Sequence, residues 1–104
     1  MMFDHRTYER RPGRLREFLA LDETEGAPVQ KKHLGNLVGL FTAEIGNVNE
    51  IVHSRAYEDL ADRTKRRAAI AADPAGQAYL QKSREYVKHM NNKILVPTSF
   101  SPTN

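Results

Sequence analysis

The sequence contains no cysteine and no long apolar run. The absence of cysteine excludes disulfides, thiolate nucleophiles and centres in which cysteine holds zinc or an iron–sulfur cluster. A membrane-spanning helix needs about 20 consecutive apolar residues, and no stretch approaches that length. The opening stretch, MMFDHRTYERR, carries charges where a secretory signal would be apolar, so we expect a cytoplasmic protein.

Motifs that mark a reaction are also scarce. The glycines do not form a GxGxxG pattern or a P-loop, so nucleotide binding has no motif behind it. The histidines have no metal-ligand spacing, and we predict no metal and no cofactor. The basic run Lys65-Arg66-Arg67 lacks interleaved aromatics, so we expect no nucleic-acid partner and no membrane contact.

Length and composition indicate one globular domain spanning residues 1–104. Hydrophobic residues make up 39% of the chain and charged residues 28%, which is typical of a globular protein rather than a disordered one. The formal net charge of +3 gives only a weak attraction for anions.

The stretch from Leu37 to Tyr57 predicts a β-hairpin. Two runs, Leu37 to Ile45 and Val48 to Tyr57, are rich in strand-forming residues and flank the turn-forming pair Gly46-Asn47. Apolar residues occupy both faces of the first run: Leu37, Phe41 and Ile45 on one side, and Val38 and Leu40 on the other. The helices of so short a chain can cover one face, so we predict that a second copy covers the other, giving a homodimer.

The remaining elements follow from local signals. Strand propensity predicts a first strand over Met2 to Arg10, and Pro12 to Leu34 reads as a kinked or two-piece helix interrupted at Gly26 and Pro28. After the hairpin, Asp59 caps a helix that runs to about Ala72. Asp62/Arg66 and Asp59/Arg63 are acid-before-base pairs along that helix.

The C-terminal part predicts one more helix and one more strand. Asp73 and Pro74 restart the chain as a helix that reaches Met90, and Lys93 to Val96 forms the last strand. Phe100 is expected to anchor the tail that follows. The resulting order is the βαββαβ series of the α+β ferredoxin-like fold, an antiparallel sheet with helices on one face.

Several stretches carry a family resemblance: RTY at Arg6 to Tyr8, PGRLREFL at Pro12 to Leu19, LVGLFTAEIGNVNEIVH at Leu37 to His53, and NKILVPTSFSP at Asn92 to Pro102. Together they resemble the NIPSNAP family over nearly the whole chain. The resemblance implies a dimeric α/β barrel in which two ferredoxin-like units press their open sheet faces together. It implies no settled catalytic residue. The chain departs from the family pattern at Ser54-Arg55, where an apolar residue and Trp are expected, so the pocket contents should differ.

The candidate ligand-binding residues are Arg6, Tyr8, His53 and Tyr57. They share parity within the first and third strands, which are neighbours in this fold. A guanidinium, two phenols and a histidine suit an anionic or enolisable small molecule, with His53 as the candidate general base. The other interpretation is that these groups bond one another inside the dimer without any ligand. We expect burial and the nearby cation to lower the pKa of His53.

Three functions remain open on the sequence alone. The first is a dimeric protein of undetermined biochemical role that binds a small molecule, in a cavity between sheet and helices or inside the barrel. The second is a non-catalytic interaction protein that presents helix surfaces, including Tyr79 and Tyr86, to a protein or membrane partner. The third is an enzyme similar to the small monooxygenases or isomerases of the superfamily, which fold analogy alone supports.

Overall fold

A computed structural model describes residues 1–103 and contains a four-stranded antiparallel sheet. The strand order is β2-β3-β1-β4, so the strand nearest the N-terminus lies in the middle. The strands are β1 (Met2–Arg10), β2 (Asn36–Thr42), β3 (Glu50–Tyr57) and β4 (Val87–Leu95). The predicted α+β, ferredoxin-like fold is confirmed, and the first strand has the predicted bounds.

The helices pack on one face of the sheet, which we call the inner face; the opposite one is the outer face. They are α1 (Leu15–Leu21), α2 (Ala27–His33), α3 (Leu60–Ala72) and α4 (Pro74–Ser83). The predicted caps are confirmed, because Asp59 accepts a hydrogen bond from the Asp62 amide at 2.8 Å and Asp73 accepts one from the Ala75 amide at 2.9 Å.

A π-helical turn, Asp22–Gly26, joins α1 to α2. The Ala27 amide bonds the Asp22 carbonyl, five residues back, as a π turn requires. Pro28 has no N–H to donate, and its ring would clash with a carbonyl four residues earlier in a regular α-helix. The predicted interruption at Gly26 and Pro28 is therefore a widened turn rather than a break.

The hairpin forms, but its connection is longer than the predicted two-residue turn. The last pair that joins β2 to β3 is Thr42 with Ile51. Asn47 organises the intervening loop, because its side chain donates to Glu9 at 2.7 Å and accepts from the Asn49 amide at 3.0 Å. These side-chain bonds compete with strand pairing, so Ala43 to Ile45 leave the ladder.

The last strand was mispredicted. The chain leaves its helix at Ser83 and, after a short 3₁₀ turn, forms β4 from Val87, so Met90 lies in a strand. This strand pairs along nearly the whole of β1, from Arg10 with Val87 to Phe3 with Leu95. Pairing with so distant a segment outweighs the helical spacing that continues beyond Ser83 through Tyr86 to Met90.

The helical layer covers only the two central strands. Phe18, Ile51 and Tyr79 form the buried apolar cluster. Nearly every residue of β2 is exposed, and so is every residue of β4 after Val87. Phe100 is 88% exposed in the single chain, so it does not anchor the tail within residues 1–103, and the ordered tail stays a prediction. Both edge strands therefore present bare apolar side chains.

Candidate functional site

Three of the four candidate residues come together on the inner face. Arg6 lies directly opposite His53 in the pairing of β1 with β3. The Tyr8 and His53 rings stack in parallel with their centroids 5.4 Å apart, and the Arg6 guanidinium carbon lies 5.7 Å from the Tyr8 ring centre. The fourth residue, Tyr57, is buried on the same face beyond Arg55, opposite Met2.

Asp4 joins this cluster to a helix. Its side chain is almost fully buried, at 2% exposure, and its carboxylate accepts from Arg63 Nε at 2.9 Å and from Asn92 Nδ2 at 3.2 Å. Arg6 adds a longer bond of 3.4 Å. Arg63 was predicted to pair along its own helix with Asp59, but it turns to the sheet because the buried carboxylate is the stronger partner.

Two further arginines, which were not among the candidate ligand-binding residues, enter the inner face. Arg55 donates to the Gly35 carbonyl at 3.1 Å and to Gln30 Oε1 at 2.8 Å. Arg10 packs its guanidinium carbon 3.5 Å from the ring centre of Phe18. A signal was present, because Asp4, Arg6, Tyr8 and Arg10 alternate along β1 and therefore share one face.

The inner face carries the guanidinium groups of Arg6, Arg10 and Arg55, of which Arg10 and Arg55 are buried. The Nε atoms of Arg6, Arg10 and Arg55 are buried and have no hydrogen-bond partner within residues 1–103. The fully buried carboxylates in the described chain are those of Asp4 and Asp22. A buried donor without an acceptor is costly, so this layer is chemically suited to an anion.

Asp22 reaches the layer from the π turn. Its Oδ1 accepts a hydrogen bond of 2.7 Å from the hydroxyl of buried Tyr79. Burial, followed by the charge of Asp22 and this bond, raises the pKa of Tyr79 far above its ordinary value, so its hydroxyl stays protonated. A Cβ at Gly26 would lie 2.5 Å from Asp22 Oδ1 and 2.5 Å from the Tyr79 ring, so glycine permits this close packing.

His53 is held neutral, as the sequence predicted. Burial, and then the charges of Arg55 and Arg6, lower its pKa from 6.5 to about 4. We expect an NMR titration to find the His53 ring unprotonated at pH 6. The unfolded chain binds this proton near pH 6.5, whereas the folded chain binds it only near pH 4. Neutral His53 therefore makes its full contribution to the free energy of unfolding above pH 6.5. That contribution, on the order of 3 kcal/mol, is lost as the pH falls towards 4.

The check on that expectation is a comparison of unfolding free energies at pH 7 and pH 4. His53→Asn should show a smaller drop than the unsubstituted protein, because other groups that titrate over this range affect both alike. An ordinary His53 pKa in the titration, with equal drops, would contradict the assignment.

Two surface grooves lie away from these residues. One of about 320 Å³ is lined by Lys32, His33, Asp62, Lys65, Arg66 and Ala69. Another of about 410 Å³ is lined by Leu21, Ala78, Gln81, Lys82, Glu85 and Tyr86. No set of three His, Asp or Glu side chains in residues 1–103 is placed to hold a metal ion. In that same part of the chain, every helix is too short or too polar to cross a bilayer.

The antiparallel sheet with helices on one face defines an α+β protein of the ferredoxin-like class. The same fold occurs in a putative antibiotic biosynthesis monooxygenase from Nitrosomonas europaea, with a TM-score of 0.70 at 9% identity, covering 93% of this chain and 98% of that one. Identity this low shows shared fold alone.

The chain belongs to the NIPSNAP family, whose family model matches residues 3–102. A NIPSNAP family protein of unknown function from Agrobacterium tumefaciens is 45% identical, with a TM-score of 0.93 and coverage of 98% of this chain and 92% of that one. The NipSnap homolog of Dictyostelium discoideum is 31% identical over 96 residues, which are 92% of this chain and 42% of that protein. The chain thus spans less than half of that relative.

Proposed function

We propose that this NIPSNAP protein is a homodimer of single-domain subunits that binds a small anionic organic molecule between its sheet and its helices. Arg6, Tyr8, His53 and Tyr57 are the proposed ligand-binding residues. The observation that carries the proposal is the set of buried arginine Nε atoms without a hydrogen-bond partner in residues 1–103. An anion entering this layer would supply the missing acceptor and the missing negative charge.

A neutral His53 adds a second capability. An unprotonated imidazole beside two guanidinium groups can accept a proton from an enolisable ligand while the cations stabilise the resulting anion. This supports the enzymatic alternative as an extension of ligand binding. The alternative of helix-surface recognition loses one of its contacts, because Tyr79 is buried and bonded to Asp22.

The dimer is supported by apolar side chains that remain exposed in a single chain. Leu37 and Leu40 on the inner side of β2, and Phe41 on its outer side, are exposed in the single chain. Apolar surface of this extent on both faces of a sheet is typical of an interface. A second copy facing the outer side of the sheet would bury Phe41.

The binding test is a thermal-shift screen with acetate, benzoate and phenylpyruvate, an enolisable acid. A ligand at one hundred times its Kd should stabilise the protein by about 2.7 kcal/mol. We expect His53→Asn to remove the stabilisation. His89→Asn, on an exposed part of β4, is the matched control and should retain it. Equal stabilisation of both variants would place the ligand elsewhere.

A further inference from the structure

Arg10 has an environment unlike that of the other inner-face arginines. It is 4% exposed, and its guanidinium carbon lies 3.5 Å from the ring centre of Phe18 and 4.7 Å from that of Tyr8. Aromatic contacts of this kind occupy the flat faces of a guanidinium, whereas its N–H donors lie in the plane. Packing therefore fixes the plane of Arg10 and leaves its hydrogen-bonding edge uncommitted.

No side chain in the described chain forms a hydrogen bond or an ion pair with that edge, and Nε is buried. The neighbouring arginines differ. Arg55 donates a hydrogen bond from each terminal nitrogen, one to Gly35 and one to Gln30, and Arg6 is paired with Asp4. Among these three arginines, Arg10 is thus the one whose planar N–H donors have no acceptor within residues 1–103.

Arg10 stays positively charged and forms no ion pair within residues 1–103. Burial lowers its pKa, and Tyr79, Tyr8 and Asp22 partly offset that effect. A guanidinium retains its proton even so, because its ordinary pKa lies far above neutral pH. The Asp22 carboxylate, meanwhile, is engaged with the Tyr79 hydroxyl at 2.7 Å. A full positive charge therefore remains in a desolvated position.

We propose that Arg10 is the anchor for the carboxylate group of an organic acid, an inference that rests on the proposed function. One guanidinium fork accepts one carboxylate through two parallel hydrogen bonds. A phosphate dianion would call for a second free guanidinium, and Arg6 and Arg55 are committed. Phe18, which contacts Arg10, belongs to the buried apolar cluster with Ile51 and Tyr79, so the rest of the ligand should be apolar too.

The bare fourth strand gives such a ligand a way in. Tyr8, one of the two rings that contact Arg10, pairs with Met90 of β4. Met90 is exposed, as is the remainder of β4 after Val87. An acid can therefore approach along the uncovered inner side of β4 and reach the Arg10 edge by moving flexible side chains.

The experiment follows the side-chain Nε–H resonances of the arginines by NMR. Acetate, benzoate, phenylpyruvate and inorganic phosphate are each added to a separate sample of the protein at matched ionic strength. We expect the aromatic acids to shift the Arg10 resonance more than acetate or phosphate does. Arg10→Lys keeps the charge but loses the fork, and should weaken binding of the aromatic acids at least about tenfold. Arg16→Lys, on the exposed side of α1, is the control and should leave binding unchanged.

The outcomes separate this inference from the proposed function. Carboxylates that shift Arg6 and Arg55 but not Arg10, with unchanged affinity in Arg10→Lys, overturn the anchor and leave the binding layer standing. Phosphate shifting Arg10 as strongly as the acids overturns the ligand class. A complete lack of response at all three arginines overturns both. The wild-type titration decides these cases even where Arg10→Lys fails to fold.

Discussion

Replacing Asp4 by alanine is expected to lower the free energy of unfolding by about 3–5 kcal/mol, the range found when one partner of a buried ion pair is removed. Asp4 accepts from Arg63, Asn92 and Arg6, so its loss leaves two partly buried guanidinium groups without their anion. Urea denaturation at pH 7 measures the change. A loss below about 1 kcal/mol would show that the arginines re-solvate freely.

Two comparisons isolate the effect of the charge. Glu23→Ala removes an exposed carboxylate from the π turn and should change stability by less than about 0.5 kcal/mol. The pH dependence of stability provides the second comparison. Burial alone would raise the pKa of Asp4, but hydrogen bonds from Arg63 and Asn92 and the charges of Arg6 and Arg63 lower it. Its contribution is thus present at neutral pH and lost as the pH falls through the lowered pKa.

Phe41→Glu is expected to convert the proposed dimer to monomer. Phe41 pairs with Val52 on the outer face and is 57% exposed in the single chain. A carboxylate there is solvated in a monomer but would be buried without a partner between two sheets. We expect the dimer Kd to rise at least about a hundredfold, which corresponds to about 2.7 kcal/mol. Sedimentation velocity across micromolar concentrations measures it.

The control for this substitution is Leu60→Glu. Leu60 begins α3 and is 58% exposed, so it matches Phe41 in exposure but lies on the helical side of the subunit. A glutamate in the first turn of a helix is also tolerated electrostatically. Leu60→Glu should sediment like the unsubstituted protein. A Phe41→Glu protein that remains dimeric would place the interface away from the outer face.

Local chemistry made much of this fold predictable. Asp59 and Asp73 mark their helix starts because a cap bonds an amide only two or three residues away. The bounds of β1 likewise follow from strand-forming residues that end at a Pro-Gly pair. Such signals lie within one turn or one strand and need no knowledge of the rest of the chain.

Contacts between distant segments set the limits of prediction. The bond from Arg63 to Asp4 spans 59 positions and replaces the local partner expected at Asp59. In the same way, pairing with β1 draws Val87–Leu95 into a strand, although its first residues continue a helical pattern. Arg10 was missed, and Arg55 was noted only as a departure from the family pattern, because an arginine in a strand is ordinarily solvated and only tertiary packing shows where it is buried.

The central position of β1 has a consequence for how the chain folds. Met2 pairs with Tyr57, and Phe3 pairs with Leu95, so both flanks of this strand depend on segments far along the chain. The chain must close these long loops, at a cost in entropy, before the strands gain the stabilisation of pairing. This requirement slows the folding of sheets built from distant strands. Until β4 is available during synthesis, one edge of β1 stays unpaired. This half-built sheet is the species most exposed to aggregation and to capture by chaperones.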